Sequence, residues 1–592
     1  MCGICGELRF DGQQADAKVV RNMTSKLERR GPDSMGEYFD GPLGFGHRRL
    51  SIIDLSERSH QPMLDRELGL NIVFNGTIYN YRILREELKA KGYQFFSDGD
   101  TEVIIKAYHA WGASCVERLH GMFAFAIWDM NKRQLFLARD RFGIKPFYYS
   151  FDKKRLRFAS TTQSILAAKD SDTSIDPVAL HNLFSLHAVV PAPRTILNGI
   201  RKVRPATYMI VHDNGQVEEK TYWRLNAQRP ATAKNESEWQ ELIHAALRSA
   251  VQKRKEIADV PVGVLLSGGL DSSLLVALLA EAGVQDLRTF SIGFEDIGDE
   301  KGSEFEFSDQ VVERYQTKHT RLHIPNSEVL PRLPEAVDQM TEPMFGQDAV
   351  AFYLLAEQVS QHVKVVQSGQ GADEVFGGYF WYPQMHDATG KPLERFRNYY
   401  FDRDHDEFAR MLTPAWYSED FTSALVEQAL SEPNADTFID QVLRFDCTTL
   451  IVDDPVKRVD NMTMAWGLEA RVPFLDHELV ELAAAMPPEL KLQSGGKHLL
   501  KNISRGLIPD AVIDRPKGYF PMPALKYVQG DFLNFMRDIL MSDACLQRDI
   551  YQRDYVERLL SEPESHFTRI KGSKLWHLAL LEFWLQRNVD AA

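Results

Sequence analysis

Five cysteines in 592 residues are too few, and odd in number, for a disulfide framework. Cys2, Cys5, Cys115, Cys447 and Cys545 are expected as reduced thiols. No apolar run reaches the roughly 18 residues of a membrane-spanning helix. No basic stretch followed by an apolar core marks the N-terminus as a secretory leader. The cytoplasm is the expected location, and no membrane partner is expected. Positive charge is also short: 69 Lys and Arg against 83 Asp and Glu leave a formal net charge of −14. That excludes nucleic acid as the main partner, because a phosphate-binding surface is normally basic. Repeats, low-complexity tracts and a GxxxxGK[ST] loop are missing too. Cys2 and Cys5 form a CxxC, but no second CxxC or His pair follows at finger spacing. A zinc site is therefore not expected, and Cys5 reads as a small buried apolar residue.

What is present exceeds one hydrophobic core, so two or more domains are expected. The first half reads as β-rich. Short apolar or alternating runs at Leu70–Phe74, Met122–Trp128, Gln134–Ala138 and Arg155–Ala159 predict strands. Tyr81–Lys91 has helical spacing and stops at Gly92, and Val103–Trp111 predicts a second helix with Asp100 and Thr101 as cap candidates. Polarity rises over Asp213–Glu236, which divides the chain into 1–212, a linker 213–236, and 237–592. Beyond it, strands at Pro261–Leu266, Leu287–Phe294, Thr320–Ile324 and Val363–Gln367 alternate with helices such as Ser272–Ala282. That pattern predicts a doubly wound parallel sheet. From Phe438 on, the spacing is mostly helical.

The chain opens Met1-Cys2-Gly3-Ile4. If Met1 is removed, Cys2 carries nucleophile and base in one residue. An α-amine titrates at roughly 7.7–8.0 and can take the thiol proton, and the thiolate is the form that attacks carbonyls. Four segments follow: Arg30-Gly31-Pro32-Asp33, Gly46 to Asp54 (GHRRLSIID), Phe74 to Asn80 (FNGTIYN) and Asp98 to Glu102 (DGDTE). For a free amino acid with a side-chain amide, Arg49 is the candidate to grip the α-carboxylate. Asp100 is the candidate to hold the ammonium. The Asn75 amide and the Gly76 N–H would meet the developing oxyanion. Singly, each has a plainer reading as solvated arginine, helix cap or hairpin turn.

In the second half, Val264 to Ser273 (VLLSGGLDSS) runs a buried strand through a Ser/Gly turn into a helix. Two glycines let backbone N–H groups approach an anion, and the helix N-terminus adds a positive dipole. Leu266, Ser267, Gly268, Gly269, Asp271 and Ser272 are the candidates there. A second turn, Ser368 to Glu374 (SGQGADE), also follows a strand, which adds Ser368 and Gly369. Asp271 and Asp373 are the natural pair to hold Mg²⁺, since hard cations take carboxylate oxygen. Ile292 ends another strand and would flank adenine. Lys517, in Arg515-Pro516-Lys517-Gly518, would neutralise charge developing on phosphate.

The set MCGI, RGPD, HRRLSIID, NGxIYN and DTEVI resembles the class II glutamine amidotransferases, and SGGLDS resembles the pyrophosphate loop of enzymes that split ATP into AMP and pyrophosphate. With RVDNMTMAWGLEARVPFLD at 458–476, the chain is similar to the glutamine-hydrolysing asparagine synthetase family over nearly its whole length. The resemblance implies an αββα N-terminal-nucleophile hydrolase sandwich, then an adenine-nucleotide α-hydrolase-like doubly wound sheet with a helical C-terminal part. It also implies glutamine, ATP and a small carboxylate acceptor as partners, Mg²⁺, and ammonia carried between two sites; a homodimer is a candidate assembly.

Two positions depart from that pattern. Thr77 and Gln370 stand where most such synthetases have glutamate. Gln370 cannot serve as a general base, and the aromatic run Tyr379 to Tyr382 suggests either surface packing or a roomier acceptor pocket. FNGTIYNY and GQGADEVFGGYFWY resemble the N-acetylglutaminylglutamine amidotransferases. N-acetylglutaminylglutamine is thus the expected acceptor, with aspartate the alternative.

Overall fold

The computed structural model describes residues 2–296, 301–515 and 528–591. Two six-stranded antiparallel sheets face one another in the first half. One runs in the order Arg201–Lys202, Tyr148–Phe151, Arg155–Ala159, Cys2–Arg9, Leu43–Arg49, Ser34–Asp40. The other runs Val217–Thr221, Thr207–His212, Gln134–Arg139, Gly121–Asp129, Leu70–Ile78, Met63–Asp65. Ile4, Phe45 and Phe158 of the first sheet meet Val73, Trp128 and Leu137 of the second in one dry core. Period-two alternation sends every other side chain into that core. The remaining side chains of the second sheet pack under the helices Tyr81–Ala90 and Asp100–Trp111. Helix, sheet, sheet, helix is the expected sandwich.

The four expected strands of this half are all found, within larger sheets. Cys2–Arg9 lies inside its sheet with buried residues on both faces, so it has no alternation for periodicity to detect. The helix expected at Val103 begins at Asp100, with Gly99 at the cap position. Asp100 is therefore not the cap; its carboxylate turns back to the neighbouring sheet. The stretch read as linker contains one more strand, Val217–Thr221. All five of its residues are exposed at the sheet edge, which explains its polar sequence.

The second half holds a five-stranded parallel sheet ordered Lys318–Ile324, Arg288–Phe294, Val262–Leu265, Val365–Gln367, Glu469–Arg471. The first strand in sequence sits at the centre, flanked by the second and the fourth. That is a topological switch point, where a crevice opens at the carboxyl ends of the strands. The last strand is three residues long inside a region read as helical. It forms because Glu469, Ala470 and Arg471 find partners in Val365, Val366 and Gln367.

The helix Phe438–Phe445 continues through wide π-type turns at 446–450 and 452–456 into the helix Lys457–Met464. Pro455 has no N–H to give the ladder, and such turns accommodate the gap. This rod carries charges to the boundary between the halves. Arg30 Nη1 donates to Asp460 Oδ2 at 2.9 Å, and Lys145 Nζ donates to Oδ1 of the same carboxylate at 3.0 Å. Lys202 Nζ binds both Glu342 and Asp453, at 3.0 and 2.5 Å. All of these groups are buried. Among the described residues, no helix is long and apolar enough to cross a membrane.

Candidate functional site

Cys2 is the first residue of its strand and lies opposite Arg49 in the register. It shares a small cavity with Arg49, Gly76, Thr77 and Asp100, so the structure gathers the N-terminal candidates into one place. The Cys2 N–H donates to Asn75 Oδ1 at 3.1 Å. Asn75 Nδ2 is buried without a hydrogen-bond partner among the described residues, an open donor on the side chain that holds the Cys2 nitrogen. Gly76 cannot carry a side chain here, because a Cβ would lie 2.2 Å from Met122 O on the paired strand. Arg49 is held in place by two loop carbonyls, Ser56 O at 3.0 Å and Asp54 O at 2.5 Å. The Asp100 carboxylate accepts the Ile78 N–H at 3.0 Å. Burial raises the Asp100 carboxyl to about 6 against that hydrogen bond. Burial likewise pushes the Cys2 thiol up, while the Leu50 backbone and the Arg49 charge pull it down. Cys5 is fully buried 3.3 Å from Thr24 Oγ1, and burial raises its thiol to about 12.

A second cavity, of about 520 Å³, opens at the switch point of the parallel sheet. That is within the size range of small-molecule sites. Leu266, Ser267, Gly269, Asp271 and Ser272 line it from the first turn, Ser368, Gly369, Gln370 and Asp373 from the second, and Ile292 from the strand beside them. Gly268 is not in the wall. It makes the turn, at φ +76° and packed against Ser308 N and Glu304 O, a geometry that suits glycine. Ser272 Oγ accepts the Ser267 N–H at 3.2 Å and donates to Gly269 O at 3.3 Å, which closes the turn on itself. Lys517 lies outside the described residues.

Sequence reasoning missed Lys497. Its ammonium contacts Asp271 at 2.6 Å and Asp373 at 2.8 Å, and both carboxylates hold it protonated against the cost of burial. The signal was its place in Gly495-Gly496-Lys497, a glycine pair before a lysine, which periodicity does not weigh. Asp348 was missed as well: it lines the cavity and pairs with Arg458 Nε at 2.9 Å. The aromatic run answers to packing. Trp381 and Tyr382 are buried against Phe396, Tyr400 and Val426, while the Tyr379 hydroxyl donates to Glu374 at 2.8 Å and that of Tyr382 to Asp446. Among the described residues, none of the four from Tyr379 to Tyr382 lines the cavity at the parallel sheet.

Residues 1–223 match the glutamine amidotransferase domain family and residues 242–586 the asparagine synthase family. The chain is 33% identical over 630 residues to asparagine synthetase (glutamine-hydrolyzing) 1 of Bacillus subtilis, covering 100% of this chain and 97% of that one. It is 30% identical over 619 residues to asparagine synthetase (glutamine-hydrolyzing) 3 of the same organism, covering 99% and 98%. A fungal relative, amidase chry2 of Gibberella zeae, is 27% identical over 609 residues, covering 88% of this chain and 89% of that one. With both domain families in order and relatives matched from end to end, the chain belongs to the glutamine-hydrolysing asparagine synthetase family.

Proposed function

We propose that this carbon–nitrogen ligase amidates N-acetylglutaminylglutamine, with glutamine as nitrogen donor and ATP cleaved to AMP and pyrophosphate. Once Met1 is removed, the Cys2 α-amine takes the thiol proton and Sγ attacks the glutamine amide. Asn75 Nδ2 and the Gly76 N–H receive the oxyanion. Ammonia leaves, and water hydrolyses the glutamyl thioester to glutamate. Arg49 binds the α-carboxylate of glutamine and Asp100 its ammonium. In the second cavity the acceptor carboxylate attacks the α-phosphorus of ATP and pyrophosphate departs. Ammonia then attacks the acyl-adenylate carbonyl and AMP leaves.

The turns at Ser267–Ser272 and Ser368–Gly369 bind the phosphates, and Ile292 packs by the adenine. Asp271 and Asp373 already converge on one cation, the Lys497 ammonium. Two hard carboxylates around a common centre fit Mg²⁺ and would hold it, and the ion would offset pyrophosphate charge. Lys497 contributes a further positive charge beside the phosphates, the role expected of Lys517.

The acceptor assignment is carried by Gln370 in the cavity wall. Free aspartate brings an ammonium that a carboxylate would match. An N-acylated acceptor brings none, and an unpaired carboxylate at this position would face its carboxylate with like charge. A neutral amide both donates to and accepts from amide groups without that repulsion. The names of the bacterial relatives favour aspartate instead. The test supplies ATP, Mg²⁺ and ammonia with either acceptor and measures pyrophosphate and product mass. N-acetylglutaminylglutamine amide is expected; asparagine as sole product overturns the assignment.

A further inference from the structure

Thr77, in the wall of the Cys2 cavity, is bonded to a charged group that comes from the other half of the protein. Glu469 is fully buried on the edge strand of the parallel sheet, far along the chain from Cys2. Thr77 Oγ1 donates to Glu469 Oε1 at 3.3 Å, and Arg471 Nε donates to the same oxygen at 2.5 Å. Thr77 and Asn75 are two residues apart on one strand, so their side chains stand on the same face, about 7 Å apart. Asn75 holds the Cys2 nitrogen, and Thr77 holds Glu469. The carboxylate is therefore held one same-face position along the strand from the side chain that holds the nitrogen acting as base.

We propose that Glu469, supplied by the ATP-binding half, is a positioning residue of glutamine hydrolysis: through Thr77 it fixes the Asn75 strand, and its charge strengthens the Cys2 α-amine as a base. The inference rests on Cys2 being the thiol that attacks glutamine. The proton moves from Sγ to the α-amine as the S–C bond forms, and the resulting ammonium is favoured by a nearby negative charge. Glu469 is ionised at any working pH: burial pushes its carboxyl up, but Arg471 and Lys145 outweigh this and hold it at about 2. Its charge is felt by Cys2, Asp100 and Tyr79. Among the described residues lining the Cys2 cavity, Arg49, on the facing strand, and Asp100, on the helix behind, are the charged side chains. Arg30, whose Nε lies 3.4 Å from Cys2 O, is neutralised by Asp460. On the far side, Arg471 Nη1 donates to Arg254 O and Ile257 O at 2.6 and 2.7 Å, so the Glu469–Arg471 pair is anchored to the second half.

The test uses the full-length enzyme with Glu469→Gln, which keeps shape and removes charge. Thr77→Val, which leaves the Glu469–Arg471 pair intact, decides the matter if E469Q does not fold. Glutamate release and ammonia-driven pyrophosphate release are measured across pH. For E469Q, kcat for glutamine is expected to fall about tenfold, and its acid limb to move down by about one pH unit. The limb is read in kcat because bound glutamine keeps Asp100 ionised. T77V is expected to lower kcat in the same direction, and ammonia-driven turnover is expected to stay at the wild-type rate in both. An unchanged kcat and pH profile overturns the proposal, as does an equal loss with glutamine and with ammonia. A wild-type enzyme that releases no glutamate defeats instead the underlying reading of Cys2.

Discussion

At the residue scale, Cys2 is separable from the cavity at the parallel sheet because no residue described as lining one cavity also lines the other. Cys2→Ala is expected to abolish glutamine-dependent product formation and to spare turnover with added ammonia. Loss of both in a folded protein would defeat the two-site reading. Asp100 gives a pH signature. Burial raises it to about 6, and the proposed grip on the glutamine ammonium needs the carboxylate form. As pH falls through about 6 the carboxylate is protonated, so kcat/KM for glutamine is expected to drop there, which reports the free enzyme. Asp100→Asn should lower kcat/KM and erase that limb; a limb that survives it belongs to another group. Lys497→Met removes the ammonium between Asp271 and Asp373 and is expected to slow pyrophosphate release about a hundredfold with either nitrogen source. A wild-type rate would return the role to another cation.

At the element scale, strands bring the chemistry together because strands from distant parts of the chain lie side by side. Leu70–Ile78 carries Asn75, Gly76 and Thr77 on consecutive positions. Gly76 allows Gly121–Asp129 to pack against it without collision. Gly76→Ala would press a methyl group onto Met122 O, so it is expected to cost about 1–3 kcal/mol. Denaturant titration measures that loss, and unchanged stability would mean that the strand relaxes away. The short strand Glu469–Arg471 touches both sites: Glu469 accepts from Thr77, and Arg471 O accepts the Ser368 N–H at 2.9 Å. Its sequence gives no strand signal, since three polar and small residues become a strand only when a sheet edge is offered.

At the scale of the whole molecule, the two halves are joined by buried ion pairs as well as by apolar contact. Asp460 is shared by Arg30 and Lys145 of the first half. Burial raises this carboxyl, but the two cations outweigh burial and hold it below its ordinary value. Glu469 is depressed from 4.5 to about 2 in the same way. Carboxyls depressed on folding contribute stability above their unfolded values, and that stability is lost as pH falls. Unfolding by acid is therefore expected between about pH 4.5 and 2. Asp460→Leu leaves two buried cations unpaired and is expected to destabilise by about 3–5 kcal/mol. Calorimetry measures the shift, and an unchanged Tm would mean that water replaces the carboxylate.

The sequence by itself determined the two chemistries. Cys2, the Asn75-Gly76 pair and the Ser267–Ser272 turn are local patterns whose residue types and spacing point to the proposed nucleophile, oxyanion donor and anion-binding turn. It also determined the alternation of strands and helices, because hydrophobic periodicity is a local property. Tertiary structure decided what depends on partners distant in sequence. It placed Lys497 between Asp271 and Asp373, made a strand of 469–471, buried Trp381 and Tyr382 of the aromatic run, and brought Glu469 to Thr77. Hydrophobic periodicity registers none of these contacts, since each is selected by burial and charge compensation across the fold. The residue type at position 2 is local information, while the charges that surround Cys2 are set by the packing of the two halves.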